Sequence, residues 1–134
     1  MATEIEKGTI NMFDTNNKPT GLKRIMLANE NSMKGFRWLL KNDAAFKQEL
    51  GMLVVLAPVT FLFSITAFEQ AVLIISLLFV IFTEVLNTAI EAVVDRIGLE
   101  IHPLSGLAKD LGSAAVFIAL TIAFILWAVI LWPF

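Results

Sequence analysis

Four polar side chains stand at intervals of three, four and four in the stretch TEVLNTAIEAVVDR: Glu84, Asn87, Glu91 and Asp95. On an α-helix that spacing sets all four along one face. The run before them, AVLIISLLFVIF, carries no charge, no glycine and no proline, so one helix would continue from the apolar run into the polar stripe. A charged side chain at membrane depth costs at least about 2.5 kcal/mol on the insertion scale. A single glutamate there can be a protonated packing residue, but two that flank an asparagine on one face describe a site. Carboxylates are hard oxygen ligands and suit Mg²⁺, which is usually held by one or two of them together with substrate phosphates. A carboxylate in apolar surroundings also holds its proton more tightly, which suits a general base. Acids inside a membrane mark ion paths as readily as catalysis. These acids gather toward one end of the run, whereas a conduction path would carry polar groups right across. From the residues alone, a lipid-modifying enzyme and a proton-coupled transporter or channel subunit both stay open.

The elements that position this stripe follow from composition. The 134 residues suffice for one domain and are 57% hydrophobic and 16% charged, with a mean hydropathy of +0.78. Three apolar runs, Gly51 to Phe68, Ala71 to about Val94 and Ala114 to Phe134, approach the length of a spanning helix. So short a chain could not cover three such helices in water, and the reading is an all-α membrane protein. If the second run enters the hydrocarbon near Ala71, Glu84 lies about 20 Å along it, some two thirds of the way through a layer about 30 Å thick. Glu91 then falls near the boundary and Asp95 just beyond. Three helices shield such a stripe thinly, which favours an oligomer.

Eight of the ten Lys and Arg residues precede Gly51, and the other two, Arg96 and Lys109, lie between the second and third runs. The positive-inside rule then places the N-terminus and the 95–112 segment in the cytoplasm, and the Phe68-Glu69-Gln70 link and the C-terminus outside. The first fifty residues lack the apolar core of a secretory signal, and the absence of cysteine excludes disulfides and thiolate metal sites.

Along the chain, residues 1–20 are expected to form a flexible tail. Leu22, Ile25, Met26, Met33, Phe36 and Leu40 recur at helical spacing among Lys23, Arg24, Lys34, Arg37 and Lys41. That pattern predicts an amphipathic helix over about 21–41, lying on an anionic membrane surface. Residues 21–134 form one integral-membrane domain, with spans at about 49–68, 71–95 and 111–134. Asn42 is the expected N-cap of the first, with Asp43 in its first turn. Gly98 and Pro103 break the chain after the second span, His102 is a turn residue, and Ser105 is the expected cap of the next helix. Ala115, Ala119 and Ala123 form a small-residue packing face. Trp127 and Trp132 suit an outer aromatic belt. The common soluble nucleotide motifs, GxxxxGK[ST] and GxGxxG, are absent.

EVLNTAIEAVVDRIG and SGLAKDLGSAAV, together with NDAAFKQE, closely resemble the prokaryotic diacylglycerol kinases, and the similarity runs from about Leu22 to the C-terminus. The resemblance implies a homotrimer in the bacterial inner membrane, each protomer having a surface helix and three spans, with composite active sites near the cytoplasmic surface. The implied reaction moves the γ-phosphate of MgATP to the 3-hydroxyl of diacylglycerol, and no nucleic acid is a partner. By motif, Glu84 is the general base, and Asp43 and Glu91 are the Mg²⁺ ligands. Glu49, Asn87, Asp95, Glu100, Gly106, Lys109 and Asp110 attend the nucleotide, with Asn87 and Lys109 on its phosphate oxygens. Arg24 and Ser32 match the lipid-substrate end. The family commonly reads NEAAFRQE where this chain has NDAAFKQE, so Asp43 is one methylene short and its metal contact is weaker or bridged by water. Met33 replaces a frequent aromatic residue and Leu107 a frequent basic one. The alternative within the family is undecaprenol kinase, although DRIG and SGLAKDLGSAAV look more like the diacylglycerol branch.

Overall fold

The computed structural model describes residues 19–132. The expected tail lies outside these residues apart from its last two positions, as do the final two residues of the third apolar run. The chain divides between Lys41 and Asn42 into two units.

All but the last residue of α1 (Gly21–Asn42) belongs to the first unit. Gly21 opens it at φ 62°, in the left-handed region that favours glycine. Leu22, Ile25, Met26, Met33, Phe36 and Leu40 are all exposed along it, as the amphipathic pattern requires. Glu30 and Lys34 pair at 2.8 Å across one turn. The hydrogen bond and charge of Lys34 hold the Glu30 carboxyl below the usual carboxylate range.

The second unit contains α2 (Ala44–Val59), a 3₁₀ turn (Thr60–Leu62), α3 (Ala67–Ile97) and α4 (Pro103–Leu131). All three segments are long and apolar enough to cross a membrane. Pro58 lacks the N–H that would continue the α ladder, and the chain tightens into the 3₁₀ turn immediately after it. The Thr60 hydroxyl donates to Ala57 O at 2.6 Å and accepts from Gln70 Nε2 at 3.0 Å, which closes this end of the hairpin.

Helix α3 starts earlier than the apolar run suggested. Phe68, Glu69 and Gln70, expected as a link, lie in its first turn. The reason is a capping box: Thr66 accepts from Glu69 N at 3.2 Å, and Glu69 Oε2 accepts from Thr66 N at 2.7 Å. The helix has 31 residues, about 46 Å at its regular rise. That exceeds a hydrocarbon layer of about 30 Å, so α3 tilts or runs past its boundary.

Two expected caps are displaced by one and three positions. Asp43, not Asn42, caps α2, its Oδ1 accepting from Phe46 N at 3.0 Å. His102, not Ser105, caps α4, with Nδ1 accepting from Leu104 N at 3.2 Å and Pro103 in the first turn. In each case the residue nearest the break in the chain reaches the free N–H groups first. His102 is thus more than a turn residue.

Helices α2 and α4 each pack on α3 and make no contact with each other. The core follows α3 through Leu73, Leu77 and Val80, with Val80 seated against Ala119 and Ala123 of α4. These small residues let the two backbones approach. Ala115 is exposed, and Gly112 takes the buried place at that end of the face. Large apolar side chains such as Phe61, Phe117 and Phe124 point outward, as lipid contact demands.

Thr66→Ala removes the capping oxygen of α3 and is expected to cost about 1 kcal/mol. This would appear as a lower thermal midpoint of the detergent-solubilised protein, with Thr66→Ser staying near wild type.

Candidate active site

The polar stripe of α3 runs from buried to exposed. Glu84 and Asn87 are buried, Glu91 is half-buried and Asp95 is exposed. Glu84 stands about 25 Å along the axis from Ala67. Two further carboxylates come to it from α2 and its cap. Glu84 lies within the electrostatic reach of Asp43 and Glu91, and Glu49 within that of Glu84 and Asp43. The sequence thus named five members of one group, Asp43, Glu49, Glu84, Asn87 and Glu91, and the fold brings them together.

Each is held differently. Asp43 uses Oδ1 as the helix cap and Oδ2 to accept from Thr88 Oγ1 at 2.6 Å. Glutamate is not among the residues that cap helices well, so the shorter side chain suits this position. Glu49 is buried and its Oε2 has no protein partner. Asn87 Nδ2 donates to Glu91 Oε1 at 3.4 Å, while its Oδ1 is buried without a partner. The carboxamide therefore lies between Glu84 and Glu91 with one free acceptor.

Lys109 of α4 pairs with Asp95 of α3 at 2.6 Å. The expected phosphate-binding cation is thus tethered to the outer member of the stripe, and it also senses Glu91. Glu100 lines a cleft of about 640 Å³ with Val94, His102 and Ser105. Gly106 N–H donates to His102 O at 3.1 Å in the first turn of α4, and Asp110 is exposed on the same helix. Among the described contacts, Glu100, Gly106 and Asp110 do not join the carboxylate group. Arg24 and Ser32 are exposed on α1 in the first unit, where the Ser32 hydroxyl donates to Ala28 O at 3.0 Å.

The donor set is all hard oxygen. Among the described residues no three His, Cys, Asp or Glu side chains form a cage for a metal ion. Such a set fits a divalent cation held by one or two carboxylates plus ligand phosphates.

Two residues of the site escaped the sequence reading. Thr88 belongs to the stripe by its spacing of four from Glu84, but a threonine in a helix gives no chemical signal by itself. Gly112 faces Asn87 so closely that any Cβ would collide with its carboxamide. The only hint was its place one turn before Ala115 in the small-residue series. Gly112→Ala is expected to overpack this contact and cost about 1–3 kcal/mol. The cost should fall on an Asn87→Ala background, where space is restored, and a double-mutant cycle of thermal unfolding reads that coupling.

Known proteins share this arrangement's sequence. The family model described as prokaryotic diacylglycerol kinase matches residues 30–131. A diacylglycerol kinase of Pseudomonas aeruginosa is 50% identical over 112 residues, covering 84% of this chain and 91% of its own. That of Escherichia coli K12 is 50% identical over 117 residues, 87% of this chain and 95% of its own. That of Haemophilus influenzae is 46% identical over 114 residues, with coverages of 85% and 97%. The matched residues include α2, α3, α4 and every member of the carboxylate group, and the chain belongs to the prokaryotic diacylglycerol kinase family.

Proposed function

We propose that this protein is an ATP-dependent diacylglycerol kinase that forms phosphatidate at the cytoplasmic face of a bacterial inner membrane. The observation that carries the reading is the buried Glu84–Asn87 pair, faced by Asp43 and Glu49, in a chain of this family. The names of its relatives support diacylglycerol as the alcohol.

Phosphoryl transfer asks a protein mainly for positioning and charge neutralisation. Glu84 sits at the end of an apolar run, where a lipid hydroxyl can reach it while the acyl chains stay in hydrocarbon. Its carboxylate takes the hydroxyl proton as the lipid oxygen bonds to the γ-phosphorus. The bond from that phosphorus to the bridging oxygen breaks, and ADP departs. Mg²⁺, when bound, neutralises the phosphate oxygens, and Glu91 and Asp43 would hold it. Glu49 offers its unpartnered oxygen on the nucleotide side. Asn87 and Lys109 bind phosphate oxygens, Lys109 by exchanging Asp95 for phosphate. Asp95, Glu100, Gly106 and Asp110 border the nucleotide, and Arg24 and Ser32 the lipid.

The domain is residues 21–134, with the N-terminus cytoplasmic and the C-terminus periplasmic, as the Lys and Arg distribution supports. The working form is a homotrimer with sites shared between protomers. An apolar cleft of about 460 Å³ opens beside Asn87, lined by Leu86, Ile90, Leu111 and Ala115, and a neighbouring protomer would cover it.

Purified protein in mixed micelles with MgATP is expected to phosphorylate diacylglycerol in preference to undecaprenol offered in parallel. Preference for undecaprenol would move the chain to the other branch, and transfer to neither by folded protein would return the stripe to ion transport. Glu84→Gln should keep the helical fold and lower turnover roughly 10²–10⁴-fold. Turnover near wild type in that variant would remove Glu84 from the role of base.

A further inference from the structure

Hydroxyls on helices usually turn back on their own backbone. Ser32 donates to Ala28 O, Ser76 to Leu73 O, Thr83 to Val80 O and Thr121 to Phe117 O. Thr88 departs from this habit. Its hydroxyl leaves α3 and donates to Asp43 Oδ2 at 2.6 Å, at the N-terminus of α2. The other oxygen of the same carboxylate accepts from Phe46 N. Asp43 is therefore gripped at each oxygen by a donor from a different helix, in a setting that also holds the carboxyl groups of Glu84 and Glu49.

We infer that Thr88 is a positioning residue of the phosphotransfer site, its hydroxyl fixing the Asp43 carboxylate at the N-cap of α2 so that one face of it stays aimed at the cation that accompanies ATP. The inference rests on Asp43 being a ligand of that cation, as proposed above. Without a second bond the short side chain, which shares its surroundings with the carboxyl groups of Glu84 and Glu49, could turn outward, away from the group it must serve. The backbone N–H of Phe46 alone cannot prevent this, because one hydrogen bond leaves the carboxylate free to pivot about it. Two bonds from two helices remove that freedom, and a charge-assisted bond of this length is of the stronger kind. Each oxygen keeps a lone pair for a metal ion or its water. The spacing agrees: Glu84, Thr88 and Glu91 fall at i, i+4 and i+7, so base, orienting hydroxyl and second ligand share one face of α3.

The test uses the full-length protein with Thr88→Val, Thr88→Ala and Thr88→Ser, and with Asp43→Asn beside them. Binding of Mn²⁺ is followed by electron paramagnetic resonance in the presence of a non-hydrolysable ATP analogue. The Mg²⁺ concentration for half-maximal turnover and the KM for diacylglycerol are measured in parallel. Loss of the hydroxyl in the Val and Ala variants is expected to weaken Mn²⁺ binding and raise the half-saturating Mg²⁺ by about 10-fold, the scale of one charged hydrogen bond. The KM for diacylglycerol should stay unchanged, and Thr88→Ser should restore the wild-type values. A merely structural role would lower the active fraction at every Mg²⁺ concentration without moving the half-saturation point, and that result overturns the inference. If the Val variant does not fold, the Ala variant carries the comparison, since Thr88 is only half-buried. Weakened Mn²⁺ binding in Asp43→Asn with none in the Thr88 variants would refute the role of Thr88 and leave the ligand reading standing. No change in any of them would refute both.

Discussion

A carboxylate buried along an apolar helix cannot rely on water, so its neighbours must be supplied by the protein itself. That requirement governs how α3 is surrounded. At its N-terminus Glu69 is absorbed into a capping box with Thr66. Past the middle of the helix Glu84 and Asn87 are buried, and α2 and α4 both lie against α3 without touching each other. The polar stripe is consequently at the centre of the membrane unit, although it belongs to the middle of the three spans.

The same requirement explains where packing is tightest. Apolar contact between α3 and α4 is made by Val80 against Ala119 and Ala123. About two turns further along, the small-residue series meets the polar stripe, and there Gly112 is needed because the Asn87 carboxamide already fills the space of a side chain. A helix face that is close-packed by alanine therefore ends in a glycine at the site. Lys109 follows on the same helix and ties its charge to Asp95. The sequence SGLAKDLG thus places a cation and a gap within one turn of each other.

Much of this was legible in the sequence because periodicity is a property of the chain. The 3, 4, 4 spacing of Glu84, Asn87, Glu91 and Asp95 survives folding unchanged, and so does the alternation of apolar and basic residues in α1. Features that depend on which group reaches a free N–H first were misjudged by a few positions. Asn42 and Ser105 are good capping residues, but Asp43 and His102 stand nearer the breaks. The role of Gly112 and the partner of Thr88 depend on contacts between helices, and no local pattern encodes them. Ala115 shows the reverse error, since a correct period placed it on the packing face while the approach of α3 left it exposed.

The continuity of α3 has a mechanical consequence. A lipid alcohol arrives at a depth fixed by its acyl chains, and a nucleotide phosphate arrives from water, so the groups that serve them need a constant offset. From Glu84 to Glu91 the helix rises about 10 Å, and to Asp95 about 16 Å. No glycine or proline interrupts α3 between Ala67 and Ile97, and nothing there invites a kink. The hydrogen bond from Thr88 extends the same frame sideways to α2. An apolar helix that simply continued into a polar one is therefore well suited to the proposed chemistry: on that reading, the segment that would receive the lipid alcohol and the segment that would meet phosphate are one continuous helix.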